Sequence, residues 1–129
     1  MKKSGILNPQ INRVLAELGH RDMLIIADAG LPIPLSVERI DLVLRCGTPS
    51  FKEVLSAILS EIEVEEAYMA KEIIEKNPRI FSFASTLIKN HHFITHNEFK
   101  ELSRKARAII RTGECSPYAN IILISGVTF

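Results

Sequence analysis

Two of the polar residues that could do chemistry frame the first apolar run of the chain. His20 stands three residues before the run Met23 to Ala27, and Asp28 follows that run directly. A carboxylate at the C-terminal end of a buried strand is where open α/β proteins place ligand-contacting groups. The alternative is that Asp28 only caps the turn formed by the glycine and prolines after it. The sequence leaves both interpretations of Asp28 open.

Two histidines are candidates for proton transfer or for hydrogen bonding to a ligand. An unperturbed imidazole titrates near neutral pH, so His20 is a candidate general acid or base. The alternative for His20 is a loop histidine that hydrogen-bonds the last carbonyls of the preceding helix. His96 is predicted in the first turn of a helix, where the helix dipole disfavours the imidazolium and favours a neutral hydrogen-bonding role. The alternative for His96 is an exposed residue without a function.

A third candidate group is the segment Tyr118-Ala119-Asn120, at the start of a strongly apolar strand. Tyr118 and Asn120 flank one residue, so both side chains could point to one face. A phenol and an amide there form a neutral polar surface suited to hydroxyl-rich ligands. The alternative is a tyrosine that fills the edge of the core and an asparagine that satisfies a turn.

The remaining histidines do not predict a metal site. Together with His96, His91 and His92 suggest zinc, but His92 and His96 would point the same way only if the segment were extended throughout. The pair Thr95 and Glu98 has the pattern of a capping box, which predicts a helix start that breaks this alignment. No glycine-rich motif for a dinucleotide or phosphate occurs either, so a dinucleotide or phosphate site is not indicated.

The composition excludes several classes of function. Lysine plus arginine (16) nearly cancels aspartate plus glutamate (15), which leaves no basic surface for nucleic acid or an anionic membrane. No apolar run predicts a signal peptide or a membrane span. Because Cys46 and Cys115 lie far apart, no disulfide framework is expected, and Cys115 is expected to be a buried structural cysteine. We expect a single cytoplasmic domain over residues 1–129.

The elements that must position these residues alternate between helices and short strands. Asn8 and Pro9 open a helix that Gly19 is expected to end in a left-handed conformation. Thr48 and Pro49 are expected to be the cap and first residue of a second helix. Strands are predicted over residues 23–27, 40–45, 64–70, 91–95, 107–112 and 119–124. This alternation predicts an α/β fold, with helices packed in layers on a mixed β-sheet.

Several longer motifs resemble the D-ribose pyranase family, the ribose mutarotases, which are related to the fucose mutarotases. The motifs are Lys3-Ser-Gly-Ile-Leu-Asn8, Gly19-His20, Ile26-Ala-Asp-Ala-Gly-Leu-Pro-Ile-Pro34, Arg111-Thr-Gly-Glu-Cys-Ser-Pro-Tyr-Ala-Asn-Ile-Ile-Leu123 and the terminal Ser-Gly-Val-Thr-Phe129. The resemblance implies a cofactor-independent isomerase. Such an enzyme interconverts the β-pyranose and β-furanose forms of D-ribose by acid/base opening and reclosure of the ring.

The resemblance also implies a role for each candidate residue. His20 is expected to be the proton donor. The sugar-binding residues are expected to be Asp28, His96, Tyr118, Ala119 and Asn120. The resemblance further implies ring-shaped homo-oligomers, described as decamers, with sugar held between neighbouring subunits. Two alternatives remain open: a non-catalytic ribose-binding module of the uptake pathway, and a mutarotase of another sugar such as L-fucose.

Overall fold

The computed structural model describes residues 1–129 and contains five α-helices and six β-strands. The helices are α1 (Pro9–Glu17), α2 (Phe51–Leu59), α3 (Glu72–Lys76), α4 (Pro78–Leu87) and α5 (His96–Leu102), and a 3₁₀ turn, Ser103–Lys105, follows α5. The strands are β1 (Met23–Ala27), β2 (Glu38–Asp41), β3 (Val64–Ala70), β4 (His91–Ile94), β5 (Ala108–Arg111) and β6 (Ile121–Ser125). None of the helices has the length and apolar character that crossing a membrane requires.

The strands form one mixed sheet in the order β2-β5-β1-β6-β3-β4. The central strand β1 runs parallel to β5 and antiparallel to β6. Strand β3 runs antiparallel to β6 and parallel to the edge strand β4. The helices pack against this sheet, so the predicted α/β fold with a mixed sheet is confirmed.

Both faces of β1 are buried, which explains why the strand is apolar at every position. Leu24 and Ile26 belong to the larger core cluster, beneath α1, α2 and α4. Ile25 and Ala27 belong to a smaller cluster on the other face, with Phe99 of α5. Strands buried on two faces have continuous apolar runs rather than alternating ones. The chain therefore leaves the core at Asp28, next to the face that α5 covers.

The local signals of helix start are confirmed at two of three positions. The Asn8 side chain accepts a hydrogen bond from the Ile11 backbone N–H at 3.0 Å, which caps α1. Thr95 and Glu98 form the predicted capping box of α5. The predicted cap of α2 is wrong, because Ser50 rather than Thr48 caps that helix. The backbone of Thr48 is held instead in a turn that its N–H closes on the Arg45 carbonyl at 2.9 Å.

The second strand and the end of the first helix differ from the prediction. Strand β2 covers Glu38–Asp41 rather than residues 40–45, because its partner β5 ends at Arg111, opposite Asp41. The predicted left-handed Gly19 is also wrong. Arg21 takes that conformation, with φ at 72°, and its N–H donates to the Ser125 carbonyl at 2.9 Å.

The two cysteines correct a further expectation. Cys46 and Cys115 are 69 residues apart in sequence, yet their Cα atoms lie 5.8 Å apart and the structure joins them as a disulfide. Both residues are exposed, so Cys115 is not the buried cysteine that was expected. The loop that carries Cys46 reaches the loop between β5 and β6, where the Gly47 N–H donates to the Gly113 carbonyl at 2.6 Å. Sequence distance gave no indication of this contact.

Candidate functional site

A cavity of about 390 Å³ opens where the chain leaves the C-terminal end of β1. Three segments line it: the loop after β1, the first turns of α5 and the loop that precedes β6. The polar side chains of its wall are Asp28, His96, Lys100 and Tyr118, and Leu31, Pro32 and Pro117 are among the others. Its volume lies at the lower end of the range for ligand pockets, which suits a small polar molecule.

Asp28 closes the turn after β1, and it also lines the cavity. Its Oδ1 accepts the Gly30 N–H at 2.9 Å, which closes the turn. Its Oδ2 accepts a hydrogen bond from Asn120 Nδ2 at 2.8 Å, while Asn120 Oδ1 accepts the Asp28 N–H at 2.8 Å. The carboxylate is therefore fixed in orientation by two neighbours and still faces the cavity.

Asn120 acts behind the wall of the cavity rather than in it. Its side chain is buried, with 1% of the residue exposed, and both ends of its amide are used by Asp28. Ala119 is fully buried beside it. A direct contact of either residue with a ligand stays a prediction. In the structure, the Asn120 side chain orients the carboxylate of Asp28.

Tyr118 is held in an uncommon backbone conformation at the rim of the cavity. Its φ is 56°, a left-handed value that costs a residue with a side chain of this size roughly 1–3 kcal/mol. Its ring meets the His96 ring edge-on, with centroids 5.1 Å apart. Backbone strain that the surrounding structure maintains is found preferentially at functional sites. The phenol and the imidazole thus form one side of the cavity.

His96 presents a neutral imidazole to the site. Burial is the main cause that lowers the pKa of His96 below its ordinary value of 6.5, and the positive charge of Lys100 adds to the effect. The carboxylates of Glu72 and Asp28 oppose this lowering of the pKa but do not outweigh it. His96 Nδ1 is buried without a hydrogen-bond partner in the chain. Buried polar atoms are generally paired, so this unpaired nitrogen is an exception within the wall of the cavity.

Lys100 and Glu72 were not found from the sequence. Lys100 lines the cavity four residues after His96, and the i, i+4 spacing on α5 was the signal that could have identified it. Glu72 accepts the His96 backbone N–H at 3.1 Å with one carboxylate oxygen and at 3.2 Å with the other, which fixes the start of α5. No sequence signal connects Glu72 to His96, because the contact depends on how β3 and β4 pair.

His20 lies away from this cavity, at the opposite end of β1. It precedes the five-residue strand that Asp28 follows, and strands rise roughly 3.3 Å per residue, so β1 alone separates the two by roughly 16 Å. His20 does not cap the preceding helix. Its Nε2 lies 2.6 Å from Glu65 Oε2, at the start of β3. One copy of the chain therefore brings together Asp28, His96 and Tyr118, but not His20.

The chain is similar over its whole length to proteins of one known family. The model of the family described as the RbsD / FucU transport protein family matches residues 1–128. A protein of Laribacter hongkongensis named D-ribose pyranase is 55% identical, with both chains covered completely. The structure of Bacillus subtilis RbsD complexed with D-ribose superimposes with a TM-score of 0.97 at 45% identity, again over all of both chains. The fucose mutarotase of Streptococcus pneumoniae, solved with L-fucose, gives a TM-score of 0.80 at 28% identity, covering 95% of each chain.

Proposed function

Since the chain belongs to the RbsD / FucU transport protein family, we propose that it is a cofactor-independent isomerase that interconverts β-D-ribopyranose and β-D-ribofuranose. The observation that carries the proposal is the small cavity in which a fixed carboxylate, a neutral imidazole and a phenol converge. The full-length similarity to a protein solved with D-ribose supports ribose as the sugar.

The reaction needs only proton transfers, which amino-acid side chains can supply. Ring opening delivers a proton to the ring oxygen and removes one from the anomeric hydroxyl, so the C–O bond breaks and an aldehyde forms. The open chain rotates, and a different hydroxyl attacks the aldehyde while the two proton transfers run in reverse. A positioned acid or base contributes about two to four orders of magnitude to such a step.

The cavity residues are proposed to bind the sugar hydroxyls. An ionised carboxylate has about four acceptor positions, and two of those on Asp28 are used by Gly30 and Asn120. The remaining positions can accept hydrogen bonds from sugar hydroxyls. Tyr118 and neutral His96 each offer a donor or an acceptor, Asn120 orients Asp28, and Ala119 packs beside it. His20 is proposed as the proton donor to the ring oxygen.

The separation of His20 from Asp28 supports a site built from two copies of the chain. If both residues act on one sugar molecule, the His20 of one copy must reach the cavity of its neighbour. We propose a ring-shaped homo-oligomer, of ten copies as the resemblance implies, in which each ribose lies between subunits. A cytoplasmic location is proposed with it, because a mutarotase acts on free sugar after uptake.

Saturation-transfer proton NMR on the anomeric signals of D-ribose tests the proposal. We expect catalytic amounts of the protein to accelerate exchange between the β-pyranose and β-furanose signals, and His20→Ala to abolish most of that acceleration. Acceleration with L-fucose but not with ribose would retain the chemistry and replace the substrate. Ribose binding without faster exchange would contradict catalysis and favour a binding module.

A further inference from the structure

A cluster of charged side chains surrounds His20 at the start of β3. Glu65 Oε2 lies 2.6 Å from His20 Nε2, and Glu65 Oε1 accepts a hydrogen bond from Arg21 Nη1 at 2.6 Å. The same Arg21 nitrogen lies 2.7 Å from Glu66 Oε1, and His92 Nε2 lies 3.1 Å from Glu66 Oε2. The cavity at the other end of β1 does not include any of these groups. The only group among them to which the proposed function assigns a role is His20.

We propose that Glu65 is a positioning residue that keeps a proton on Nε2 of His20, so that Nδ1 is the nitrogen that gives its proton to the sugar ring oxygen and the neutral ring left behind is the Nε2–H tautomer. The inference rests on the proposed function, in which His20 is the proton donor. It adds the group that decides which of the two imidazole nitrogens transfers a proton to the sugar. A carboxylate bound to the far nitrogen of a catalytic histidine fixes both the tautomer and the orientation of the ring.

The Glu65 carboxylate accepts hydrogen bonds and does not donate them. The hydrogen bond from His20 is the main cause that lowers the pKa of Glu65, and the hydrogen bond from Arg21 adds to it. The carboxyl group is therefore ionised at neutral pH, and an ionised carboxylate has no proton to donate. The hydrogen in the short contact with His20 must then belong to Nε2. The protonated ring therefore donates from Nδ1, and the neutral ring that remains takes a proton back at Nδ1 when the sugar ring recloses.

Arg21 holds the carboxylate in place through an uncommon backbone conformation. Its φ of 72° lies in the left-handed region, which is rare for a residue with a side chain. The Arg21 N–H donates to the Ser125 carbonyl at 2.9 Å, so the loop is tied to the end of β6 while the side chain reaches β3. Strained residues that the structure maintains cluster at functional sites, and this one follows His20 directly.

The other charges near His20 do not contact its ring. Asp22 Oδ2 accepts the Gly19 N–H at 2.9 Å and lies 3.7 Å from Arg107 Nε. Glu66 reaches Arg21 and His92. Glu66 therefore provides a matched control: it neighbours Glu65 on the same strand, has the same charge and contacts the same arginine. Glu65→Gln and Glu66→Gln each remove one carboxylate beside Arg21, but only the first changes the partner of His20.

Solid-state ¹⁵N NMR of the sedimented, histidine-labelled protein reads the tautomer directly. The chain has four histidines, and a His20→Gln sample identifies the His20 signals by their loss. Above the titration range of histidine, we expect wild type and Glu66→Gln to show His20 protonated at Nε2 alone. We expect Glu65→Gln to show a mixture of both tautomers, because a glutamine amide can either donate to Nε2 or accept from it.

Ribose exchange by NMR, measured on the same three proteins, completes the test. Loss of a supporting partner of a catalytic group costs on the order of tenfold, so kcat of Glu65→Gln is expected to fall by about that factor while Glu66→Gln keeps wild-type activity. A wild-type tautomer in Glu65→Gln, or equal losses of activity in both variants, would overturn the role of Glu65. A wild type that does not accelerate ribose exchange, or a fully active His20→Ala, would instead refute the proposed function, whatever the tautomer.

Discussion

Replacing Asn120 by aspartate perturbs the carboxylate of Asp28, which is proposed to bind the sugar. Asn120 is 1% exposed and exchanges two hydrogen bonds of 2.8 Å with Asp28. Asn120→Asp keeps the shape of the side chain, but it replaces the Nδ2 donor by a second carboxylate oxygen facing Asp28 Oδ2. Two charges about 4 Å apart at an effective dielectric constant of about 20 repel by about 4 kcal/mol. Such a pair relieves this repulsion by sharing one proton.

The sign of the pH effect follows from that shared proton. One carboxyl of the pair titrates well above the ordinary range of an aspartate, so the folded variant holds a proton that the unfolded chain has released. Below the unfolded titration range of about pH 4, both states are protonated and the variant suffers no charge repulsion. Between that range and the raised folded-state value, only the folded state keeps the proton, so the destabilisation grows with pH until the folded state has lost it too. The defect of Asn120→Asp is therefore expected to be larger at pH 7.5 than at pH 5.

Urea unfolding and ribose exchange at the two pH values measure the effect. We expect a loss of about 2–4 kcal/mol in the free energy of unfolding at pH 7.5 and a KM about tenfold or more above wild type, with both defects smaller at pH 5. Asn97→Asp, which adds a carboxylate at an exposed position in the first turn of α5, serves as the control. A variant with wild-type KM at pH 7.5, or with the same defect at both pH values, would refute the orienting role of Asn120.

Three further predictions concern the wall of the cavity and the loop that supports it. Lys100→Met is expected to raise the KM for ribose about threefold to tenfold, which ribose titrations measure. It is also expected to move the pKa of His96 toward 6.5, because it removes a positive charge that lowers this pKa, and histidine NMR measures that shift. The pKa of His96 lies below 6.5, so its neutral form and the stability linked to it are fully present above pH 6.5. Ribose affinity is therefore expected to fall only as the pH drops through the lowered pKa. Isothermal titration from pH 8 to 5 checks this, and a loss of affinity that begins above pH 7 would contradict it. Gly113→Ala is expected to lower the free energy of unfolding by about 1–3 kcal/mol, because the added Cβ would lie 2.6 Å from the Arg45 carbonyl oxygen. Urea unfolding measures this loss. Gly19→Ala serves as the control, because its Cβ would meet no atom nearer than Asp22 Oδ2 at 3.7 Å.

The sequence predicted those elements whose signals are local. Strand β1 matches its predicted bounds because it is apolar on both faces and is followed directly by the charged Asp28. The start of α5 was predicted from Thr95 and Glu98, which lie within one turn of each other. The same locality explains the prediction that Asp28 follows a buried strand and closes a turn.

The features that were missed depend on contacts between distant segments. The end of β2 is set by the length of β5, and the pairing of His20 with Glu65 depends on how β1 and β3 flank β6. The disulfide of Cys46 and Cys115 joins two loops 69 residues apart. The position of His20, about one strand length from Asp28, was not predictable either, because the resemblance assigned both residues to one site without saying which copy of the chain supplies each.

Subunit complementation tests most directly the central claim that neighbouring copies build one ribose mutarotase site. His20→Ala and Asp28→Asn chains with different tags are coexpressed, mixed assemblies are purified on both tags, and β-pyranose to β-furanose exchange of ribose is measured by NMR. Each variant alone is expected to be nearly inactive. Random assembly in equal amounts joins an intact His20 with a neighbour's intact Asp28 at about one quarter of the sites, so about a quarter of wild-type activity should return. Mixed assemblies that form but stay as inactive as the single variants would contradict a site shared between subunits.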